Sequence, residues 1–192
     1  MKVIGFNGSS RKNGNTATAI KAVFAELEKE GIETEMVQVG GKNIKGCNAC
    51  GRCKDNGDGF CVIDDDIAND CLKKMYESDG VIVGSPVYFG SVTPETKALI
   101  DRAGYCARAG GYLLKRKVCA AVAAARRQGA VSVFNQINNL FVLNQAIIPC
   151  SIYWNMGIGK GIGEIKNDEE GMKTFKILGE NMAWLLKKIK KD

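Results

Sequence analysis

The sequence predicts an α/β protein in which helices cover both faces of one parallel sheet. Short segments of apolar and β-branched residues alternate with helical segments along the whole chain, and this alternation is typical of a doubly wound sheet. The chain has 192 residues, of which 45% are hydrophobic, so it is long enough to bury one sizeable core. We therefore expect residues 1–192 to form a single domain without an internal boundary.

Five segments have the composition of buried parallel strands, which are short and rich in aliphatic side chains. They are residues 3–7, 33–39, 80–84, 118–123 and 147–153. Five helices are predicted near residues 16–30, 65–78, 94–108, 131–143 and 168–190. Five strands that alternate with five helices favour a flavodoxin-like fold with the strand order 2-1-3-4-5.

Local signals mark where three of these helices begin. Residues 93–95, Thr-Pro-Glu, supply an N-cap, a proline at the first helical position and an early acid. Asn-Thr at 15–16 and three aspartates at 64–66 precede the first and second helices. These signals place the helices after the strands, as a doubly wound sheet requires.

Charge and hydropathy argue against two classes of function. The net charge of +6 is modest, and no basic strip with interleaved aromatic residues is present, so we expect no nucleic-acid partner. No apolar run approaches the length that spans a bilayer, and nothing near Met1 resembles an export signal. We expect a cytoplasmic protein without a membrane partner, and clustered cysteines in that reducing compartment indicate metal binding or redox activity.

Four of the eight cysteines fall within fifteen residues, in the pattern C-x2-C-x2-C-x7-C. They are Cys47, Cys50, Cys53 and Cys61. A cubic iron–sulfur cluster needs thiolates that converge from one side, and a cysteine at every third residue can supply them. Zinc fits less well, because its structural sites usually separate two C-x2-C pairs further and often use His, which this sequence lacks. Free or disulfide-bonded thiols are the third reading.

The cysteine motif lies in a segment without helical or strand character. Residues 56–59, Asn-Gly-Asp-Gly, are turn formers, so we expect a loop insertion at about 44–63. The other cysteines have apolar neighbours in predicted helices and strands, and we expect them to be small core residues. They are Cys71, Cys106, Cys119 and Cys150.

The loop after the first strand has the composition of an anion site. Residues 7–16 read NGSSRKNGNT and end where the first helix begins. Backbone amides of a helix N-terminus, hydroxyl groups and Arg11 can surround a phosphate, and the glycines allow close approach. The loop matches neither G-x-x-x-x-G-K-[ST] nor G-x-G-x-x-G, so a monophosphate is favoured over a triphosphate. An ordinary polar loop is the alternative.

Two further loops are expected at the same edge of the sheet, where ligands of doubly wound folds bind. Residues 85–91 read SPVYFGS and can pack against a flat ring, unless Tyr88 and Phe89 simply fill the core. Residues 124–129 read AARRQG, in which Arg126 and Arg127 are either ligand contacts or a solvated pair. Together with the phosphate loop, these segments indicate a phosphorylated ring ligand.

These loops and the cysteine segment resemble the NADPH-dependent FMN reductase family, and in particular its iron–sulfur flavoprotein branch. Asp101-Arg102 and Tyr153-Trp154 also resemble that family. The resemblance implies an FMN whose phosphate is bound by Ser9, Arg11, Asn13, Asn15 and Thr16. It implies a flavin ring on Pro86, Val87, Tyr88, Phe89 and Gly90, with help from Ala124, Arg126 and Gly129. It also implies a 4Fe-4S cluster on the four cysteines of the motif.

The expected activity is electron transfer between a reduced donor, either NAD(P)H or ferredoxin, FMN and the cluster. Arg126, Arg127 and the backbone of the Tyr88 loop are expected to tune the flavin. An FMN-dependent NAD(P)H reductase of quinones, flavins or other small acceptors, without a cluster, is the alternative, and a zinc- or nucleotide-binding module is a third hypothesis. We expect the cluster and flavin to share one face, and the chain to form a homodimer or homotetramer. Residues 157–163 are either an oligomer contact or a surface loop.

Overall fold

The computed structural model describes residues 1–189, and its one sheet contains five parallel strands. The strands are β1 (Lys2–Asn7), β2 (Glu33–Gln38), β3 (Gly80–Pro86), β4 (Val118–Ala125) and β5 (Met156–Ile158). Their order is β2-β1-β3-β4-β5, with every neighbouring pair parallel. The predicted fold and strand order are therefore confirmed.

Helices connect the strands and cover both faces of the sheet. They are α1 (Asn15–Lys29), α2 (Arg52–Asn56), α3 (Ala68–Glu77), α4 (Pro94–Ala109), α5 (Ala130–Val142) and α6 (Glu169–Ile189), with a 3-10 helix at Glu164–Asn167. The predicted end of the last helix, residue 190, lies outside the described residues. Thr93 caps α4 by accepting a hydrogen bond from the Thr96 amide, as the sequence predicts. No helix within residues 1–189 combines the length and apolar character needed to span a bilayer.

The core has two layers, one on each face of the sheet. Along β1, Ile4 packs with α3, α4 and α5, whereas Val3 packs with α1 and α6. Along β3, Val81 and Ile82 divide between the same two layers. This alternation follows from the two-residue period of a strand, and it explains why the central strands contain uninterrupted apolar runs.

The fifth strand lies later in the chain than the sequence predicts. Within residues 147–153, Ile147 makes a single bridge to Val118. Pro149 follows and has no amide hydrogen to donate, so pairing stops and the chain leaves the sheet. The chain returns to the sheet at Asn155, whose carbonyl oxygen accepts a hydrogen bond from the Ala123 amide. Strand β5 begins at the next residue. Cys150 lies in this excursion and is exposed, so its predicted core position is wrong.

The predicted loop insertion at 44–63 contains one short helix, which sequence reasoning missed. This helix, α2, is flanked by Gly51 and Gly57, both in the left-handed region with φ of 78° and 65°. The predicted second helix also begins later, at Ala68, whose amide donates a hydrogen bond to the Asp66 side chain (2.9 Å). The cysteine segment is otherwise irregular and mostly exposed.

Candidate functional site

The first candidate site is a pocket at the carboxyl edge of the sheet, which we call the edge pocket. It brings together most of the residues predicted to bind FMN. These are Ser9, Arg11, Asn15, Thr16, Pro86, Val87, Tyr88, Ala124 and Arg126. Asn13, Phe89 and Gly90 are exposed outside it, and Gly129 lies behind Val87, which a Cβ on Gly129 would approach to 2.8 Å. The loops after β1, β3 and β4 therefore meet at one edge, as expected for parallel strands.

Polar side chains at the ends of β1 and β2 hold residues 7–16 in place, the loop predicted to bind phosphate and called the phosphate loop here. The Asn7 side chain accepts a hydrogen bond from the Ser9 amide (3.1 Å) and donates one to Gln38 (2.8 Å). The Gln38 amide in turn donates to the carbonyl oxygen of Ser9 (2.6 Å). Sequence reasoning missed Gln38, although an amide side chain at the end of a strand was a signal for it.

Gly8 is required at the start of this loop because other chain segments approach it closely. Its amide donates to the carbonyl oxygen of Gly84 (2.8 Å), and its own carbonyl accepts from the Thr93 hydroxyl (2.8 Å). A Cβ at Gly8 would lie 1.9 Å from Oγ1 of Thr96. The loop is thus pressed against β3 and the start of α4.

The N-terminus of α1 has hydrogen-bond donors that are free to bind an anion. The first helical hydrogen bond joins the Thr18 amide to Gly14 (3.0 Å), so the amides before it have no partner within the helix. Gly14 provides no side-chain cap, and the first turn contains no acid. The hydroxyl of Thr16 is buried and has no hydrogen-bond partner within the described chain. Because an unpaired buried hydroxyl is costly, this group fits an acceptor such as a phosphate oxygen.

Asn15, which the resemblance assigns to the phosphate, also holds a distant segment of the chain. Its side-chain amide nitrogen donates to the carbonyl oxygens of Gly159 and Gly161, both at 2.9 Å, and its oxygen accepts from the Gly163 amide at 2.8 Å. These contacts draw residues 157–163 to the edge pocket, where Gly159 and Lys160 join its lining. Sequence reasoning missed both residues, because it assigned this glycine-rich segment to the surface or to an oligomer contact.

The aromatic loop after β3 is a tight turn with its rings turned outward. The amides and carbonyls of Tyr88 and Ser91 are paired reciprocally at 2.8 and 3.0 Å. Phe89 and Gly90, at the tip, have φ of 49° and 76°. Tyr88 is about half exposed and Phe89 fully exposed, so neither ring fills the core. Arg126 lines the edge pocket, whereas Arg127 is exposed outside it.

The second candidate site is a cavity of about 490 Å³, which we call the cysteine pocket. All four cysteines of the motif line it: Cys47, Cys50, Cys53 and Cys61. Every one of them is a free thiol. Their sulfur atoms are not gathered at coordination distance, since the part of the chain that the structure describes contains no group of three ligand side chains able to hold a metal ion.

Side chains of α4 form the wall of the cysteine pocket, and sequence reasoning missed their part in it. Cys106, expected in the core, is buried there but also borders this pocket. Burial and the neighbouring thiols of Cys53 and Cys61 raise the pKa of Cys106, so it remains a neutral thiol. Cys71 and Cys119 are buried as predicted, and desolvation raises the pKa of each to about 12.

Arg102 and Asp66 form a fully buried ion pair beside the four thiols. Nη1 of Arg102 lies 2.7 and 2.6 Å from the two carboxylate oxygens of Asp66, and neither side chain has exposed surface. Desolvation acts to raise the pKa of Asp66, but hydrogen bonds from the amides of Lys45 and Ala68, and from Arg102, outweigh it. The pKa of Asp66 therefore lies below its ordinary value.

The two pockets have no lining residue in common. Helix α4 connects them: Thr93 at its start contacts the phosphate loop, whereas residues from Arg102 onward line the cysteine pocket. Nine residues at about 1.5 Å each place these contacts about 13 Å apart along the helix axis. The expectation of one shared face is corrected accordingly, because the cysteine segment extends past the start of α4 to its second half.

The parallel sheet, its strand order and the position of the polar loop after β1 are those of a flavodoxin-like protein. Solved structures agree: the chain matches RosB with a TM-score of 0.75 at 21% identity, covering 100% of this chain and 81% of RosB. It matches a flavodoxin from the domain Archaea with a TM-score of 0.63 at 14% identity, covering 97% and 99%. The chain belongs to the NADPH-dependent FMN reductase family, whose pattern matches residues 1–161.

Curated relatives carry a more specific name. The chain is 40% identical over 198 residues to an iron–sulfur flavoprotein of Methanocaldococcus jannaschii, with 100% of both chains covered. It is 32% identical over 200 residues to an iron–sulfur flavoprotein of Methanosarcina thermophila, covering 100% of this chain and 98% of the relative. The predicted family and branch are confirmed at this level.

Proposed function

We propose that this protein is an FMN-dependent oxidoreductase that passes electrons between a reduced donor, FMN in the edge pocket and a 4Fe-4S cluster held by Cys47, Cys50, Cys53 and Cys61. The observation that carries the proposal is that all four motif cysteines line one pocket in a chain of the FMN reductase family. The names of the relatives support the cluster, and the family supports the flavin.

The edge pocket suits the phosphate end of FMN. The unpaired hydroxyl of Thr16, the first-turn amides of α1 and the cations Arg11 and Lys160 supply donors and positive charge. The cavity measures about 180 Å³, which is below the ~300 Å³ at which pockets begin to enclose whole ligands. A flat ring would therefore lie against the rim at Pro86–Tyr88 and remain partly accessible to an electron partner.

The cysteine pocket suits a cluster by its donor set. Four thiols and no His favour iron–sulfur ligation over zinc. The segment that carries them is exposed, and Gly51 and Gly57 give its backbone freedom to adjust. When bound, FMN accepts electron pairs and the cluster takes single electrons, so the combination converts one kind of transfer into the other.

Composition analysis of anaerobically purified protein tests this function. We expect flavin absorption with about four iron and four sulfide per chain. Replacement of Cys50 by Ser should remove the iron and leave the flavin, whereas Cys150→Ser is the matched control because Cys150 is an exposed thiol outside the motif. Flavin without iron would support the quinone or flavin reductase instead, and zinc without flavin would support the binding module.

The electron donor, the assembly and the cellular location stay predictions. Reduction of the bound flavin by NADPH, NADH or reduced ferredoxin, compared under anaerobic stopped flow, identifies the donor. Light scattering tests the predicted homodimer or homotetramer.

A further inference from the structure

One side chain joins the two ends of the cysteine loop, which we define as residues 46–62. Arg102 on α4 donates from Nη1 to the carbonyl oxygen of Lys45 (3.4 Å) and from Nη2 to that of Ile63. These two residues flank the loop, each two positions from a motif cysteine, Cys47 on one side and Cys61 on the other. The guanidinium therefore bridges the entry and the exit of the loop.

Asp66 completes this contact. It accepts the hydrogen bonds from Arg102, and its carboxylate also accepts from the Lys45 amide at 2.8 Å and the Ala68 amide at 2.9 Å. The backbone of Lys45 is thus held by both partners of the ion pair, and the start of α3 is held by one. These contacts require the several N–H donors of a planar guanidinium. The ammonium group of lysine cannot make all of them at once.

The Nε donor of Arg102 is available to the cysteine pocket. Its Nε is buried and has no hydrogen-bond partner within residues 1–189, and Arg102 lines the cavity together with the four thiols. A buried donor without an acceptor is costly, and cysteine thiolates and cluster sulfides are acceptors. An occupied site would satisfy this donor.

We propose that Arg102 is a positioning residue for the metal site: with Asp66 it closes the cysteine loop, so that Cys47 and Cys61 face one cavity, and its Nε–H donates to sulfur when a cluster is bound. This inference rests on the proposed function for its cluster, but the closure of the loop belongs to the chain itself. The same contacts place the buried guanidinium of Arg102 next to the pocket in which the anionic cluster would bind.

Two substitutions separate the effect of the guanidinium donors from the effect of the positive charge. Arg102→Lys keeps the charge but loses the planar set of donors, and Arg102→Met loses both. Lys97→Ala is the matched control, because it breaks the exposed pair of Lys97 and Asp101 on the same helix. Each protein is analysed for iron and sulfide per bound flavin, for the rate of iron loss to a chelator, and for the midpoint potential of the cluster.

We expect both Arg102 variants to keep their flavin and to lose iron at least tenfold faster than wild type, with Lys97→Ala unchanged. The midpoint potential should fall most in Arg102→Met, since hydrogen bonds to sulfur and nearby positive charge favour the reduced, more negative cluster. Iron loss and potential equal to those of Lys97→Ala would overturn the inference. Wild-type protein without iron would instead overturn the proposed function.

Hydrogen exchange on metal-free wild-type protein tests the closure even if the variants do not fold. The Lys45 amide should exchange at least tenfold more slowly than amides in the exposed middle of the loop, because Asp66 accepts its hydrogen bond. Equal exchange at Lys45 and at Asn48 would show that the loop is open and that the contact does not form.

Discussion

The side chain of Asn15 donates a hydrogen bond to the carbonyl oxygen of Gly159, 2.9 Å away and 144 positions later in the chain. This contact joins the start of α1, where the phosphate is proposed to bind, to the glycine-rich segment that follows β5. The edge pocket is therefore formed by the ends of three parallel strands and by one loop that is distant in the sequence.

Replacing Asn15 by Leu should release residues 157–163 from the edge pocket. The substitution keeps the branching and the number of heavy atoms of the side chain but removes donors and an acceptor that serve Gly159, Gly161 and Gly163. Loss of about 1–2 kcal/mol of hydrogen bonding would weaken FMN binding by about tenfold. Fluorescence titration of the apoprotein with FMN measures it. Asn13→Ala, at an exposed position outside the pocket, should bind FMN like wild type.

Removing the hydroxyl of Thr16 should weaken FMN binding more than it changes the stability of the apoprotein. In Thr16→Val the lost hydroxyl has no partner in the described chain, so the free energy of unfolding of the apoprotein should stay equal or rise. A hydrogen bond to a charged phosphate contributes about 1.5–3 kcal/mol, so FMN should bind roughly 10- to 100-fold more weakly.

Thr18→Val provides the comparison, because the Thr18 hydroxyl donates to the carbonyl oxygen of Gly14 at 3.2 Å. We expect that variant to be slightly less stable as apoprotein and to keep its FMN affinity. Equal FMN affinities for the two variants would contradict phosphate binding at Thr16.

The two arginines after β4 should differ in their effect on the flavin. Arg126 lines the edge pocket, so Arg126→Ala removes positive charge that favours reduced, anionic flavin and should lower its midpoint potential by at least about 30 mV, equivalent to tenfold for two electrons. Arg127 is exposed outside the pocket, and Arg127→Ala should leave the potential unchanged. Spectroelectrochemical titration measures both. An unchanged potential in Arg126→Ala would exclude this residue from flavin tuning.

The buried pair of Asp66 and Arg102 should make stability depend on acid pH. The pKa of Asp66 is lower in the folded protein than its ordinary value of 3.8, so its contribution is complete above that value and is lost as pH falls through the folded pKa. Asp66→Asn should cost about 3–5 kcal/mol at pH 7, and the difference from wild type should shrink toward pH 3.

Urea unfolding at pH 7, 5 and 3 measures this difference. Asp101→Asn breaks the exposed pair of Lys97 and Asp101 on α4, the helix that carries Arg102. This substitution should lower the free energy of unfolding by less than about 1 kcal/mol. A cost of Asp66→Asn that is the same at every pH would show that the carboxylate charge is not what stabilises the loop.

Sequence reasoning succeeded where local chemistry decides the structure. Four of five strands and the five longer helices follow from apolar periodicity and from start signals such as Thr93-Pro94, which the structure uses as a cap. The loops after β1, β3 and β4 could be placed at one edge because parallel strands share a direction. The fifth strand was wrong, because the apolar run 147–153 resembles a strand, while Pro149 ends its pairing.

What the sequence did not reveal depends on contacts between distant segments. The role of Asn15 in binding a loop 144 positions away has no local signal, since the same residue is also typical of a phosphate loop. The burial of Arg102 is equally hidden, because a single arginine in a helix is usually solvated. Cys106 resembled a core residue and is one, yet it also borders the cysteine pocket.

The excursion of the chain before β5 has a practical consequence for any measurement of assembly size. Cys150 presents a solvent-facing thiol outside the motif, and such groups cross-link slowly in air. Aerobic samples would accumulate covalent pairs of chains that imitate a natural dimer on a sizing column. Mass determination should therefore use fresh reductant, so that only non-covalent association is counted.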